Sequence, residues 1–417
     1  MFPRFSMVKI VSPYITEAQP PMEVGTIEDI LRSTTTFGDA AARYDDQLIM
    51  GIGGKTIIVH GDVYLDMFTC PEILRLFDVR QLGMVSNDHI FTGADHKRYS
   101  HSLAVALRVE MALRTNSASE ELVRLGIVSA ALHDAAMPPL SEQGKLGARD
   151  ALDEEINVAK LVGKPGIAKL LKKHGVKGED VIACVRGQYP ELGPLLNSKG
   201  LDLDQMSYIM DDSAVVLVNE PDQRRMKLYM RDPSVQNLHF GIITNDAYAL
   251  FLDPEAVIEM LWMRAWLFRD VYQGSFQRGR EAFMEVVMRR LWDEGVLDRK
   301  KLLEMQDDEF IALVKRNTDG VLGEALFSYE SMFEEVARCY GETEDSVRRR
   351  YGDGFVVKSW KPFRPGTETM VSHRSRDVPV YVVFPDDARE IESIGRRHGY
   401  IGVYHLAEES RSTMLTL

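Results

Sequence analysis

Two histidines and two aspartates recur along this chain in an order that constrains both its fold and its chemistry. His101 comes first, the adjacent pair His133-Asp134 follows, and Asp204 comes last. The segments around them have the apolar spacing of helices, so the sequence predicts that separate helices bring these side chains together. Two imidazoles and two carboxylates can hold a divalent ion, and such an ion can activate water against a phosphate ester.

The first of these segments favours the metal interpretation only through its neighbours. His101 opens the predicted helix SHSLAVALRVEMALR, and read alone it fits a hydrogen-bonded, partly buried histidine. His133 and Asp134, however, close a second predicted helix, EELVRLGIVSAALHD. An acidic residue is unfavourable at the negative end of the helix dipole, so the position of Asp134 predicts a compensating cation, which a metal ion would supply.

The third segment, DLDQMSYIMDDSAVVLV, predicts one wall of the site. Tyr208, Asp211 and Asp212 follow Asp204 at spacings that place them on roughly one helix face. The alternative is a solvated acidic face, since aspartate is common on exposed helices. By ligand type, manganese, iron, magnesium, zinc and nickel fit equally well, so we expect one divalent ion of open identity.

Charge and cysteine content limit the partners that we expect. The chain has 63 acidic and 50 basic residues, a net charge of −13, which argues against an extended nucleic-acid partner and leaves room for a small phosphorylated ligand. Its three cysteines are too far apart in sequence for a thiolate metal site or a disulfide framework. Without a signal-like or membrane-spanning apolar run, we expect a cytoplasmic protein that does not contact a membrane.

The predicted fold class is mainly α, a helical bundle with an N-terminal β-hairpin and a small α/β C-terminal region. We divide it into residues 1–55, 56–330 and 331–417. Leu48–Leu65 has strand character with a turn at Gly53-Gly54, and helical spacing dominates from Pro71 to about Asn317. In the C-terminal region we expect three elements: a strand at Val380–Phe384, a helix at Asp387–His398 and a strand at Ile401–His405.

Several motifs occur together around the predicted site. VHG begins at Val59, RQLG at Arg80, and GAxHxRxxHS runs from Gly93 to Ser102, with HD following at His133. In this order and spacing they resemble the HD-domain deoxynucleoside triphosphate triphosphohydrolases, over about residues 58 to 275. The resemblance implies an HD-domain helical bundle, a homo-oligomer, and hydrolysis of a deoxynucleoside triphosphate to deoxynucleoside and triphosphate.

The resemblance also implies roles for individual residues. Metal ligands would be His101, His133, Asp134 and Asp204. Arg98 would contact the nucleotide phosphates, for which its planar donors suit it. Substrate-binding residues would be Gln81 at the sugar 3′-hydroxyl, Tyr208 and Asp212 around the deoxyribose, and Tyr272 near the nucleotide.

The sequence departs from the family directly after HD. The family motif GHxPFGHxGE is replaced by AAMPPLSEQGK, so that Met137 and Glu142 stand where histidines are expected. The position of a third family histidine falls within Asp153-Glu154-Glu155, so this chain has no imidazole there either. Glu142, or else Glu154 or Glu155, can serve as general acid if burial raises its pKa. The alternative is that these carboxylates are surface acids.

We therefore predict a metal-dependent nucleotide phosphohydrolase with Asp134, Arg98 and Glu142 as catalytic residues. One alternative is a regulatory protein that binds nucleotides with little or no turnover, as the absent histidines allow. Another is a phosphatase acting on nucleoside monophosphates, which would release phosphate instead of triphosphate.

Overall fold

A computed structural model of the chain describes residues 40–406, except for 45–46, 53–54, 88–90, 92–93, 199–200, 217–239, 243–248, 252–259, 262, 265, 329–331, 353–354, 361–368, 374–375 and 381–399. Helices dominate the described residues, and small β-sheets lie before and after the helical part. The predicted fold class is confirmed. No helix of this described part is both long enough and apolar enough to span a bilayer.

The N-terminal sheet contains the predicted hairpin and one further strand. Strands β1 (Ala40–Tyr44), β2 (Gln47–Ile52) and β3 (Lys55–His60) pair antiparallel in that order. The prediction of strand character as far as Leu65 is wrong, because β3 ends at His60. Gly61 follows with φ of +113°, a conformation that favours glycine, and a helix begins at Asp62.

The helical part follows in chain order. Its α-helices are α1 (Asp62–Phe68), α2 (Pro71–Leu74), α3 (Arg98–Thr115), α4 (Glu120–Leu132), α5 (Arg149–Leu152), α6 (Glu154–Val162), α7 (Pro165–Lys173), α8 (Gly178–Val185), α9 (Gly193–Leu196), α10 (Leu203–Val216), α11 (Ser275–Asp293), α12 (Arg299–Glu304), α13 (Asp307–Asn317) and α14 (Gly320–Leu326). Short 3₁₀ helices lie at Arg75–Asp78, Gly83–Asn87 and Ser141–Lys145, and a π-helical turn at Leu267–Tyr272.

Close packing of α3 against α4 brings the two predicted histidines together. Gly126 of α4 faces α3 so closely that a Cβ there would lie 2.6 Å from Leu113 and 2.8 Å from Val109. A side chain at position 126 would force the side chains of Leu113 and Val109 to move. Ser119 caps α4 by accepting a hydrogen bond from the amide of Leu122. The cap fixes the start of α4, and the C-terminal end of α4 lies beside the start of α3.

A second buried apolar cluster supports the segment that follows α4. Leu140 and Leu146 pack there with Met288 of α11 and Phe310 of α13. The segment that departs from the family motif is therefore held by helices far along the chain.

The C-terminal region has two sheets. β6 (Phe333–Tyr340), β10 (Tyr400–Leu406) and β7 (Val356–Trp360) form one in the order β6-β10-β7, with helix α15 (Glu344–Tyr351) between β6 and β7 in sequence. The predicted strand Ile401–His405 is confirmed as β10. The predicted helix Asp387–His398 lies outside the described residues, as does nearly all of Val380–Phe384.

The other sheet contains strands from the central part of the chain. Its strands are β4 (Phe240–Ile242), β5 (Ala249–Phe251), β8 (Thr369–His373) and β9 (Arg376–Val380). Strands β4 and β5 lie in a stretch where helical spacing was predicted to dominate. β5 pairs parallel to β8, so this sheet joins the central and C-terminal parts of the chain.

Candidate metal centre

His101 lies in the first turn of α3, as predicted, and is almost fully buried. Its Nε2 is 2.8 Å from Oδ1 of Asp204, which lies in the first turn of α10. The other predicted histidine, His133, immediately follows the last residue of α4. Its Nδ1 lies 2.6 Å from the carbonyl oxygen of Ala130, which fixes the ring and directs Nε2 towards the carboxylates.

These side chains form one cluster. One ligand atom from each of His101, His133 and Asp204 can be chosen so that all lie within 4.8 Å of one another. The fourth predicted ligand, Asp134, is close, with Oδ2 at 3.6 Å from His101 Nε2 and 3.5 Å from His133 Nε2. The structure therefore brings all four predicted ligands to one place, with Asp134 at its edge.

The donor set fits a divalent cation. His133 Nε2 is buried and makes no hydrogen bond to the described residues, although it lies 3.4 Å from Asp204 Oδ1. A buried nitrogen without a partner is costly, and a metal ion would satisfy it. Imidazole and carboxylate ligands suit several divalent ions, so this geometry leaves the metal type and the number of ions open.

The electrostatics of the cluster match a site for positive charge. Burial lowers the pKa of His133, but the carboxylates of Asp134 and Asp204 outweigh it and raise that pKa to about 9. Burial raises the pKa of Asp134, yet Arg98 and the two imidazoles bring it down to about 2. The hydrogen bond with His101 and the nearby imidazole of His133 likewise hold the pKa of Asp204 far below its usual value, against its burial. Both carboxylates are therefore ionised at neutral pH.

Arg98 supplies a positive charge beside Asp134, at the position where the sequence led us to expect a metal ion. Its Nη1 lies 2.6 Å from Asp134 Oδ2, and its Nε donates to Ser141 Oγ at 2.9 Å. Burial lowers the pKa of this guanidinium, but Asp134 raises it further above its ordinary value. Among the described residues, the third nitrogen, Nη2, has no hydrogen-bond partner. One donor group of Arg98 thus remains for a ligand.

The residues predicted to surround the deoxyribose, which we call the sugar wall, include Tyr208 and Asp212 on α10. Both oxygens of Asp212 are engaged: Oδ1 lies 2.7 Å from His96 Nε2, and Oδ2 accepts the hydroxyl hydrogen of Tyr272. Tyr272 packs edge-on against Tyr208, whose hydroxyl accepts from Arg264 Nε at 3.1 Å. Three of the four residues predicted to bind the nucleoside therefore lie together.

The fourth residue, Gln81, is tied to the same wall through the backbone. Its amide donates to the carbonyl of His96 at 2.9 Å. Its side chain is buried, and Oε1 has no hydrogen-bond partner among the described residues. A polar ligand group could satisfy that oxygen by donating a hydrogen bond.

The three candidate acids have different surroundings. Glu142 has 55% of its side chain exposed, whereas Glu154 has 25%. Lys145 lies between them, with Nζ at 2.7 Å from Glu142 and 2.5 Å from Glu154. Burial raises the pKa of Glu154, which Asp134 raises further while Lys145 lowers it. The third candidate, Glu155, accepts from Asn197 at 2.8 Å instead.

Sequence reasoning missed three residues of this region. His96 was part of the motif GAxHxRxxHS, and that position was a signal that could have found it. Ser141 and Lys145 lie in the segment AAMPPLSEQGK, which departs from the family motif, so the resemblance assigns neither residue a role. Their contacts with Arg98 and with two carboxylates have no signature in sequence spacing.

Comparison with known proteins identifies the class of fold. No protein-family model matches the chain. An uncharacterized protein of Mycoplasma pneumoniae is 29% identical, in an alignment that covers 72% of this chain and 82% of that protein. A phosphohydrolase of Bacteroides thetaiotaomicron superposes with a TM-score of 0.59 at 14% identity, covering 84% of this chain and 99% of that chain.

A second solved structure, of a hypothetical protein from Aquifex aeolicus, has a TM-score of 0.60 at 16% identity and covers 86% of this chain and 97% of that chain. At these identities the likeness is one of fold. The fold and the His/Asp cluster agree with the resemblance to HD-domain phosphohydrolases, and they leave its nucleotide specificity untested.

Proposed function

We propose that this protein is a metal-dependent phosphohydrolase that cleaves deoxynucleoside triphosphates to deoxynucleoside and triphosphate. The observation that carries the proposal is the buried cluster of His101, His133 and Asp204 beside Arg98, one nitrogen of which has no partner among the described residues. In the reaction, water adds to the α-phosphorus, the bond from that phosphorus to the sugar O5′ breaks, and O5′ takes up a proton.

The four predicted ligands would hold the ion, with Asp134 shared between the ion and Arg98. When bound, a divalent cation polarises a phosphoryl oxygen and lowers the pKa of a bound water. Arg98 would bind the phosphates through Nη2, because its other two nitrogens are already directed to Ser141 and Asp134. Manganese as this cation, a cytoplasmic location and a homo-oligomeric state remain predictions.

The nucleoside would lie against Gln81, Tyr208, Asp212 and Tyr272. Asp212 and Oε1 of Gln81, which lacks a partner in the described part of the chain, can each accept a hydrogen bond from a sugar hydroxyl. This wall supports the choice of a nucleoside phosphate over phosphate compounds without a sugar hydroxyl, because hydrogen bonding to a substrate hydroxyl discriminates strongly against analogues that lack it.

The proton for O5′ would come from the Glu142 and Glu154 pair. Glu142 occupies the position predicted from the motif, but its side chain is more than half exposed and forms an ion pair with Lys145. Glu154 is the better donor on physical grounds, since burial favours its protonated form. Lys145 would keep both carboxyl groups in place.

A second candidate function is nucleotide binding without efficient turnover. It is favoured by one specific observation: Met137 and Glu142 stand at positions where the resemblance predicts histidines. Such a protein would retain metal and nucleotide while releasing no product. A monophosphate phosphatase is the third candidate and differs by its product.

The deciding experiment uses a panel of deoxyribonucleoside and ribonucleoside mono- and triphosphates with manganese or magnesium, resolving nucleoside, phosphate and triphosphate. Triphosphate release that His133→Ala abolishes is the expected result. Phosphate release alone would indicate a phosphatase. Bound nucleotide and metal without any product would indicate the regulatory function.

A further inference from the structure

Two consecutive residues after α4 have a backbone conformation that side chains disfavour. Leu140 has φ of +56° and Ser141 has φ of +54°, and both are fully buried. For residues other than glycine, this left-handed region costs free energy, and it persists only where the surroundings hold it. The turn lies in the segment that departs from the family motif, directly before Glu142.

A buried carboxylate from a distant helix holds this turn. Asp307, the first residue of α13, accepts the amide of Leu140 at 2.7 Å through Oδ1. Through Oδ2 it accepts the amide of Arg80 at 2.9 Å. The two backbone segments are therefore fastened to each other by one side chain that is 2% exposed.

The left-handed turn places one hydroxyl group between two arginines. Ser141 Oγ donates to the carbonyl oxygen of Arg80 at 2.5 Å and accepts from Arg98 Nε at 2.9 Å. Its single hydrogen is committed to Arg80, so its lone pair is directed to Arg98. Arg98 is thereby held at two nitrogens, by Ser141 and by Asp134, with Nη2 remaining.

We propose that Ser141 is a positioning residue that fixes the guanidinium of Arg98 so that Nη2 faces the phosphates of the ligand. The inference rests on the proposed function in one respect, that Arg98 binds phosphate. Ser141 itself does not touch the reacting atoms. Its contribution is preorganisation: an arginine held at two nitrogens loses less conformational freedom when the third binds a phosphate oxygen.

Two substitutions of Ser141 distinguish the effect of its hydroxyl group from the effect of its left-handed backbone conformation. Ser141→Ala and Ser141→Gly both remove the hydroxyl, but only glycine relieves the left-handed conformation. We therefore expect Ser141→Gly to melt at a higher temperature than Ser141→Ala. We expect both variants to bind inorganic triphosphate more weakly than the wild type by roughly tenfold or more, as measured by titration calorimetry.

A matched control exists on the surface. Ser117 has nearly the same φ, +55°, and is exposed in the turn between α3 and α4. Ser117→Gly should raise the melting temperature and leave triphosphate binding unchanged. If triphosphate affinity followed the melting temperature instead, Ser141→Gly would bind nearly as well as the wild type. Binding would then depend on the turn and not on the hydroxyl group, and the proposal would be wrong.

A double-mutant cycle tests whether Ser141 acts through Arg98. Arg98→Lys keeps the charge but has no Nε donor for the serine hydroxyl. In that background we expect Ser141→Ala to cause no further loss of triphosphate affinity. A loss equal to that in the wild-type background would overturn the proposal, as would a wild-type protein that does not bind triphosphate.

The outcomes for Ser141 and for the enzyme can be told apart. Triphosphate binding that depends on Ser141 and Arg98, without hydrolysis of any nucleotide in the panel, would refute the proposed enzyme and support the positioning role. Nucleotide hydrolysis by the wild type, together with unchanged triphosphate affinity in Ser141→Ala, would refute only the positioning role.

Discussion

Arg98 Nη1 lies 2.6 Å from Asp134 Oδ2, and this ion pair joins the first turn of one helix to the residue pair that ends another. Both side chains are at least 90% buried. Asp134 is adjacent to the negative end of the α4 dipole, where an unpaired carboxylate is unfavourable. Arg98 therefore stabilises the metal-free centre, in addition to the phosphate-binding role that we propose for it.

Removing Arg98 should consequently destabilise the fold. Arg98→Ala leaves the buried charge of Asp134 without its guanidinium partner, and we expect a loss of about 3–5 kcal/mol in the free energy of unfolding, measured in urea. Arg114 offers a control, since its Nη1 is also 2.6 Å from a carboxylate, that of Glu120, but on the surface. Arg114→Ala should have a much smaller effect. Equal losses would show that burial of the Arg98 pair is unimportant.

His133→Ala should abolish metal retention and turnover together. The substitution removes the buried Nε2 that lacks a hydrogen-bond partner among the described residues and therefore one of the four proposed ligands. Metal content by mass spectrometry, beside nucleotide hydrolysis, checks this. His174→Ala is the control, because His174 also lies 2.7 Å from a carboxylate, Asp66, outside the centre. Turnover that survived in His133→Ala with metal still bound would refute the ligand assignment.

The raised pKa of His133 predicts a pH dependence of the metal-free protein. Asp134 and Asp204 raise this pKa from 6.5 to about 9 in the folded state. Folding therefore favours the protonated imidazole, and its stabilising contribution is fully present below pH 6.5 and is lost as the pH rises to about 9. Unfolding in urea with a chelator should show this decline. His133→Gln should remove it.

Metal binding should release a proton from the same residue. At pH 7 the metal-free His133 is protonated, whereas a ligating imidazole is neutral. We expect release of about one proton per ion bound at pH 7, falling towards none above pH 9. Calorimetry in buffers that differ in ionisation enthalpy measures this number. A value that did not change with pH would contradict the assignment of His133 as both proton acceptor and ligand.

The proposed sugar wall predicts coupling between Asp212 and one substrate hydroxyl. Asp212→Asn should reduce kcat/KM for a deoxynucleoside triphosphate by about tenfold or more, and have far less effect on the 2′,3′-dideoxy analogue. Asp211→Asn, on the same helix, is the matched control and should change neither value much. An equal loss on both substrates would mean that Asp212 supports the fold but does not contact the sugar.

The parts of this site that depend on local helical spacing could be predicted from the sequence, and the parts that depend on contacts between distant residues could not. His101, His133 and Asp204 were predictable because helical periodicity placed each near one end of a helix, and all three are brought together. Ser141 was not, because its role depends on a backbone conformation that Asp307 stabilises from far along the chain. Spacing within one segment contains no information about such a contact.

The fold, too, was predictable where it depends on local sequence patterns. The helical part was predictable from apolar periodicity, and Gly126 shows why α3 and α4 pack as closely as they do. Strands β4 and β5 were missed because each has three residues, too few for an alternating pattern to be recognised. The partner of β5 is β8, a strand from the other end of the chain.

The choice of proton donor gives the last prediction. Because burial raises the pKa of Glu154, we expect this carboxyl group to donate the proton, and not Glu142, which is more than half exposed and paired with Lys145. Glu154→Gln should lower kcat by about a hundredfold or more, the usual contribution of a positioned acid. The decline in activity as pH rises through the pKa of Glu154 should disappear in that variant.

Glu142→Gln provides the comparison, since it also removes one partner of Lys145 but leaves the buried carboxyl group intact. We expect it to change kcat only severalfold, on the order of the effect of a partly exposed ion pair, and to preserve the alkaline limb of the pH profile. The reverse result, with the limb lost in Glu142→Gln, would assign the proton to Glu142. Glu154 would then act by holding Lys145, which in turn positions the donor.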